Sequence, residues 1–327
     1  MKRSTKRFVV GTVAASAVVV AGFYAFSRLL VKAAVKREGV NLSKSVKKRI
    51  SGGLTEDPQV QDVLRVSKRV QNYKLKPVSI VSRDGLKLNG RVYPCENPKR
   101  IVLAMHGWRS SWDIDFGSSI DFLHEQGCIM VYPDQRGQNG SEGEYIGFGV
   151  LERFDCIDWL NYITETFGTE LPIYLLGVSM GASTVLMASG QRLPDCVKGI
   201  IADCGFTCPR AILKHVLNKN VKVGANLTYS IANLMIKRKA NFGGDDYSTI
   251  DALSHNEKPV LFVHGTADTF VPVEMTFENY LACKAPKEMF IVPGAGHGMS
   301  YLTATKGYQN KTIEFFSKCE NNGYTGV

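Results

Sequence analysis

The sequence has no Cys-x-x-Cys pair and no Cys/His cluster at zinc spacing; its eight cysteines are scattered, several in apolar runs that suit small buried thiols. That excludes a structural zinc module. A chain of 327 residues, 44% hydrophobic and 21% charged, can build a core without disulfide staples and is too apolar to be disordered. There is no internal repeat and no low-complexity block. Nor does most of the chain carry a charge excess, although the formal net charge is +10. The first 50 residues hold 12 Lys or Arg against Glu38 alone, a balance of +11; the remainder holds 28 cations and 29 anions, a balance of −1. A nucleic-acid-binding domain should show its cations on the folded part, so nucleic acid is excluded as the expected partner.

What the N-terminus carries instead is an uncharged run of 20 residues, Phe8 to Ser27. As a helix rising ~1.5 Å per residue it spans about the ~30 Å hydrocarbon core of a bilayer. A cleaved signal usually has an apolar stretch of only ~7–15 residues, so the expectation is an uncleaved single-pass anchor over residues 1–31, with membrane lipid as its partner. Cations flank the run on both sides (Lys2, Arg3, Lys6, Arg7, then Arg28, Lys32, Lys36, Arg37), which leaves the orientation open. Residues 32–73 are expected to be a cationic juxtamembrane linker, able to rest on anionic headgroups or to stay solvated, followed by a helix capped by Asp57 with Pro58 at its first position.

From there the pattern is that of a globular α/β domain, residues 74–327. Val78–Ser82 and Leu86–Tyr93 flank the Asp84-Gly85 turn of an antiparallel hairpin. Short, wholly apolar runs follow at 101–105, 128–132, 173–178, 199–202, 260–263 and 289–292, alternating with helical patterns at 118–126, 150–167, 180–189 and 306–319. Such alternation implies a mostly parallel sheet flanked by helices, with its ligand crevice at the carboxyl ends of the strands. The interval between Asp203 and Pro259 is too long for a simple crossover and predicts a helical cap insertion at about 205–256.

One segment carries chemistry. Gly177-Val178-Ser179-Met180-Gly181 sits between a predicted strand and a predicted helix, where small residues two before and two after a serine allow a tight turn that exposes its hydroxyl. The turn also aims the helix N-terminus, including the Met180 N–H, at an oxyanion formed there. Of the six histidines, only His297 lies in a glycine-rich loop just after a late strand, which makes it the candidate base. His106 and His264 close strands and suit structural hydrogen bonds. Asp268, leaving the strand before His297, is the candidate orienting acid, with Asp203 as its rival; Asp134 is expected to brace its own loop through Arg136.

Six stretches in order resemble the α/β-hydrolase superfamily: Ser82-Arg-Asp-Gly-Leu-Lys-Leu-Asn-Gly, His106-Gly-Trp, Asp134-Gln-Arg-Gly-Gln-Asn-Gly-Ser-Glu-Gly, Gly177-Val-Ser-Met-Gly, His264-Gly-Thr-Ala-Asp and Gly296-His297. Within the superfamily the likeness is to bacterial serine hydrolases of the Bem46 and serine-aminopeptidase-like (S33-type) group. The resemblance implies the α/β-hydrolase fold, the order Ser179, Asp268, His297 of a catalytic triad, and the backbone N–H of Trp108 as an oxyanion donor beside Met180. It also implies a small-molecule acyl substrate, no cofactor and no metal, and it favours an extracytoplasmic catalytic domain, whereas unpaired cysteines favour a reducing compartment. The Trp108 ring is expected either to wall the acyl pocket or to sit half-exposed in its loop. The chemistry expected is ester hydrolysis of carboxylesterase type; an aminopeptidase, amidase, thioesterase or acyltransferase would use the same residues, and an inactive binding module would not.

Overall fold

A computed structural model describes residues 21–38, 58–220, 224–321 and 323–324. Eight strands form one sheet in the order β1-β2-β4-β3-β5-β6-β7-β8. β1 (Lys76–Val81) and β2 (Lys87–Tyr93) make the expected hairpin, β2 runs antiparallel to β4 (Cys128–Pro133), and all other pairings are parallel. The parallel set is β3 (Arg100–Met105), β4, β5 (Ile173–Val178), β6 (Val197–Asp203), β7 (Val260–Gly265) and β8 (Lys287–Val292). Each of the six apolar runs lies in one of these strands, with ends shifted by up to two residues.

Helices cover both faces. In chain order they are α1 (Pro58–Val70), α2 (Trp112–Asp115), α3 (Ile120–Glu125), α4 (Glu152–Phe167), α5 (Met180–Ala188), α6 (Pro209–Asn220), α7 (Ala225–Ala240), α8 (Thr249–Leu253), α9 (Val273–Ala282), α10 (Ser300–Thr303) and α11 (Thr305–Glu320). The alternation along β3 shows how the core is divided. Ile101, Leu103 and Met105 join the cluster under α4 and α5, with Trp159, Leu160, Val185 and Leu186. Val102 and Ala104 join the opposite cluster with Phe116, Ile120, Phe315 and Phe316. Strands buried on both faces need apolar residues at both parities, which is why these segments are continuous runs. Gly90 completes the first cluster, since a Cβ there would stand 2.7 Å from the Trp159 ring.

The long interval after β6 carries α6 and α7, which lie above the carboxyl ends of the strands. With them sits a third apolar cluster that includes Ile146, Phe148, Met180, Phe206, Ile212, Ile236, Phe242 and Val271. Val31 and Val35 belong to the same cluster. Residues 21–34 are helical, and the chain from Val31 to Arg37 packs on the domain rather than standing clear of it as a linker.

Most of the apolar run Phe8 to Ser27 lies outside the described residues, as does the proposed cap Asp57. Among the described residues no helix is long and apolar enough to cross a membrane. One bracing expectation is corrected. Asp134 pairs with Arg91 at 2.8 Å and accepts the Gly140 N–H, whereas Arg136 turns away to Asp84 and Asp155. Arg91 lies on β2, directly beside β4, and so reaches Asp134 without a turn of the chain.

Candidate active site

β5 ends at Val178 and α5 begins at Met180, so the chain reverses at Ser179, whose φ of 56° and ψ of −118° are strained for a side-chain-bearing residue. Two glycines make the turn possible. A Cβ on Gly177 would stand 2.3 Å from the Gly181 carbonyl oxygen, and one on Gly181 would stand 1.8 Å from that of Met105. The turn is pinned by the Ser179 N–H, which donates to the Asp203 carbonyl at 2.8 Å.

Two later loops bring the other groups. β8 ends at Val292, and Gly294 and Gly298, both with positive φ, turn the chain back so that His297 faces the elbow. Gly265 lets this loop lie against the end of β7, because a Cβ there would meet the Ala295 carbonyl oxygen at 2.2 Å. As a result His297 Nε2 stands 2.9 Å from Ser179 Oγ and His297 Nδ1 stands 2.7 Å from Asp268 Oδ2.

The structure therefore brings Ser179, His297 and Asp268 into one hydrogen-bonded line and leaves Asp203 out of it. The Asp203 carboxylate takes the Ser300 hydroxyl at 3.0 Å instead. Its burial, only partly offset by that bond, pushes its pKa up to about 6. Asp268 behaves oppositely. Burial alone would raise its pKa, yet hydrogen bonds from His264 and His297 and the backbone hold it well below the usual carboxylate range. An acid so held stays ionised at neutral pH and fixes the Nδ1–H tautomer of His297, leaving Nε2 free to accept the Ser179 proton.

Residue pattern alone did not reveal two further groups. His264 is buried, with Nε2 facing both Asp268 Oδ2 at 3.2 Å and the Val271 carbonyl at 3.0 Å, and Nδ1 facing Thr276 Oγ1 at 2.7 Å. It is a second imidazole on the same carboxylate; its place four residues before Asp268 was the only signal. Asp115 accepts the Gly107 N–H at 2.6 Å and the Ser110 hydroxyl at 2.6 Å, and removal from water raises its carboxyl pKa. It underpins the loop that follows β3.

In that loop His106 donates from Nδ1 to the Gly107 carbonyl at 2.7 Å and accepts the Gln135 N–H on Nε2 at 3.1 Å. Burial lowers its pKa, so it is a neutral structural group as expected. The backbone N–H groups of Trp108 and Met180 make no hydrogen bond among the described residues. The Trp108 ring is half-buried and packs 6.4 Å from Phe148, while its Nε1–H donates to the Ala34 carbonyl at 2.8 Å.

One set of donors has metal-like composition: Cys204, Asp268 and His297, with ligand atoms within 4.8 Å of one another. Asp268 and His297 are engaged in the line to Ser179, and burial pushes the Cys204 thiol far up, so no thiolate is on offer. Pocket size does not locate the site. A cleft of about 760 Å³ lies at the other end of the strands, lined by Lys99, Pro172, Asp195 and Glu320. A small cavity of about 30 Å³, lined by Asp115, Val178, Asp203, Gly298 and Tyr301, touches the Ser179 surroundings.

Comparison with known proteins supports the fold and supplies a family. The chain is 26% identical over 247 residues to the uncharacterised protein YqkD of Bacillus subtilis, covering 74% of this chain and 79% of that one. It is 28% identical over 232 residues to the uncharacterised YfhR of Salmonella typhimurium, covering 67% and 73%. Among solved structures, the esterase Pf2001 of Pyrococcus furiosus superposes with a TM-score of 0.63 at 22% identity, covering 77% of this chain and 93% of that one. Est1E of Butyrivibrio proteoclasticus, solved with ferulic acid bound, gives 0.56 at 18% identity, covering 74% and 100%. At such identities these structures speak for the fold. The profile of the prolyl oligopeptidase family matches residues 114–323, so a chain with the α/β-hydrolase fold is a member of that family.

Proposed function

We propose that this protein is a serine hydrolase that cleaves an ester-like bond of a small acyl substrate through a covalent acyl-enzyme. The observation that carries the reading is the unbroken line from Asp268 through His297 to Ser179, set on a strained elbow. Ser179 Oγ attacks the carbonyl carbon while its proton passes to His297 Nε2. The oxyanion is held by the backbone N–H groups of Trp108 and Met180, each such donor being worth ~2.7–4 kcal/mol in the transition state. His297 then gives its proton to the leaving oxygen. Water repeats the sequence on the acyl-enzyme and frees Ser179. Asp268 stays ionised throughout and keeps the imidazole in the working tautomer.

Membership of the prolyl oligopeptidase family favours a second reading, in which the scissile bond is an amide or peptide bond. The same residues serve, with His297 protonating an amine. A series of p-nitrophenyl esters set against aminoacyl p-nitroanilides separates the two. Ser179→Ala abolishes hydrolysis and labelling by a fluorophosphonate probe; full hydrolysis by that variant would sink both readings. The apolar run Phe8 to Ser27 supports tethering to a membrane, to be tested by fractionation of the full chain beside one lacking residues 1–20.

A further inference from the structure

The loop that carries the Trp108 N–H is held from two sides. Below it, Asp115 takes the Gly107 N–H and the Ser110 hydroxyl, Gln138 Oε1 accepts the Arg109 N–H, and Asn139 Nδ2 donates to the Ser110 carbonyl at 2.8 Å. Even so, Arg109 sits at φ 53°, a conformation that a side-chain-bearing residue keeps only when its surroundings impose it.

Above it lies the end of the N-terminal helix. The last carbonyls of a helix have no partner within it and concentrate its negative pole. Here Arg109 supplies donors from about seventy residues away: Nη2 reaches the carbonyl of Ala33 in the last helical turn at 3.1 Å and that of Lys36 just past it at 2.5 Å, and Nη1 reaches that of Arg37 at 3.1 Å. Trp108 Nε1–H adds the Ala34 carbonyl at 2.8 Å, and the Arg109 guanidinium stands 5.2 Å from the Trp108 ring centroid. Two adjacent side chains of one loop thus bind two carbonyls of the last helical turn, Ala33 and Ala34, and two of the turn just after it, Lys36 and Arg37.

That helix end is itself anchored elsewhere. Val31 and Val35 are buried in the apolar cluster that also holds Met180 and Phe206, Ser27 Oγ donates to the Thr228 carbonyl on α7 at 3.1 Å, and the Ile146 N–H donates to the Val35 carbonyl at 2.7 Å.

We infer that Arg109 is a positioning residue for the oxyanion hole, and that residues 31–37, the continuation of the apolar N-terminal run, are the support it acts through. The N-terminal segment then does more than hold the enzyme in place: its docking sets the register of the Trp108 amide. This rests on the reading of that amide as an oxyanion donor. Arg109 is exposed at the surface, so its loss leaves the core intact.

The test uses the full chain with Arg109→Ala, Arg109→Lys and Val35→Asp, the last prising the helix end off its apolar seat. Each is assayed for kcat and KM on a p-nitrophenyl ester and on its thiono analogue, whose sulfur draws less from oxyanion donors, with the unfolding midpoint recorded in parallel. Misplacing a catalytic group by about 1 Å costs on the order of 100-fold, so Arg109→Ala is expected to lose roughly 10- to 100-fold in kcat on the oxoester. KM should change little and the oxoester to thionoester ratio should fall. Arg109→Lys should recover part of the loss, and Val35→Asp should reproduce it. A folded Arg109→Ala enzyme with the wild-type kcat and ratio overturns the inference while leaving the hydrolase reading intact. Absence of Ser179-dependent hydrolysis in the wild type overturns that reading itself.

Discussion

Replacing Asp268 by asparagine tests the proposed relay most severely. Asp268 Oδ1 accepts the N–H groups of Phe270 and Val271 at 2.8 and 2.9 Å, while Oδ2 faces His297 Nδ1 at 2.7 Å and His264 Nε2 at 3.2 Å. All four partners donate. A carboxylate satisfies them, and a carboxamide, with one acceptor side, does not. If the asparagine oxygen stays on the two backbone N–H groups, its NH₂ confronts both imidazoles. His297 is then driven to carry its proton on Nε2, pointing at Ser179 Oγ, and no longer accepts the hydroxyl proton. The flipped amide would instead set NH₂ against two buried N–H donors, leaving each unsatisfied at about 1–3 kcal/mol. The first arrangement wins. Holding a triad base in the wrong tautomer costs about 10⁴-fold in kcat, or ~5.4 kcal/mol at ~1.36 kcal/mol per decade. Hydrolysis of p-nitrophenyl butyrate by Asp268→Asn at pH 7.5, with its unfolding midpoint measured alongside, checks this. Retention of more than about a tenth of the wild-type kcat would refute the orienting role.

The other predictions concern the same few ångströms. Gly181→Ala places a Cβ 1.8 Å from the Met105 carbonyl, a backbone atom that has no rotamer to escape into; the expected cost is at least the ~1–3 kcal/mol of ordinary overpacking, with activity lost. A wild-type urea midpoint for that variant would show that the elbow has room to spare. Asp203 offers a pH test. Its folded pKa of about 6 lies above the unfolded value near 3.9, so the folded state binds more protons between the two and stability falls as pH rises from about 4 to 6, by roughly 3 kcal/mol in all. Asp203→Asn removes that slope while keeping a polar group for Ser300. The gap in melting temperature between variant and wild type should therefore widen in the variant's favour up to about pH 6 and stay level beyond; a gap independent of pH contradicts the assignment.

The sheet was legible because its strands are buried on both faces and so are written as unbroken apolar runs, each of which proved to be a strand. The elbow that presents Ser179, the proposed nucleophile, was legible because the backbone demands of a tight strand-to-helix turn fall on two glycines at set distances from it. His297 and Asp268 followed from position at the ends of consecutive late strands. Other groups were not legible, each for a physical reason. His264 looks in sequence like any strand-terminal histidine, and only folding shows that its Nε2 and that of no other strand-end histidine meets the orienting carboxylate. Asp134 found Arg91 rather than Arg136 because neighbours across a sheet are close in space and far apart in sequence. The helix Val273–Ala282 went unmarked because its apolar residues do not stand out as a stripe.

The chain from Val31 to Arg37 shows the division most clearly. By its charges it is a basic flank of an apolar run, and by sequence alone its partner is solvent or lipid headgroups. Composition and local pattern determined the fold class, the strands, the elbow and the place of Ser179 on it, since these depend on backbone geometry and on burial within short segments. Tertiary structure decided between Asp268 and its rival Asp203 as the carboxylate that meets His297, and it alone decided what braces the loop of Trp108 and that the carbonyls of Ala33, Ala34, Lys36 and Arg37 close over that loop. Those contacts join residues about seventy or more positions apart through single hydrogen bonds, and no local pattern of residue types records a partner at such a distance.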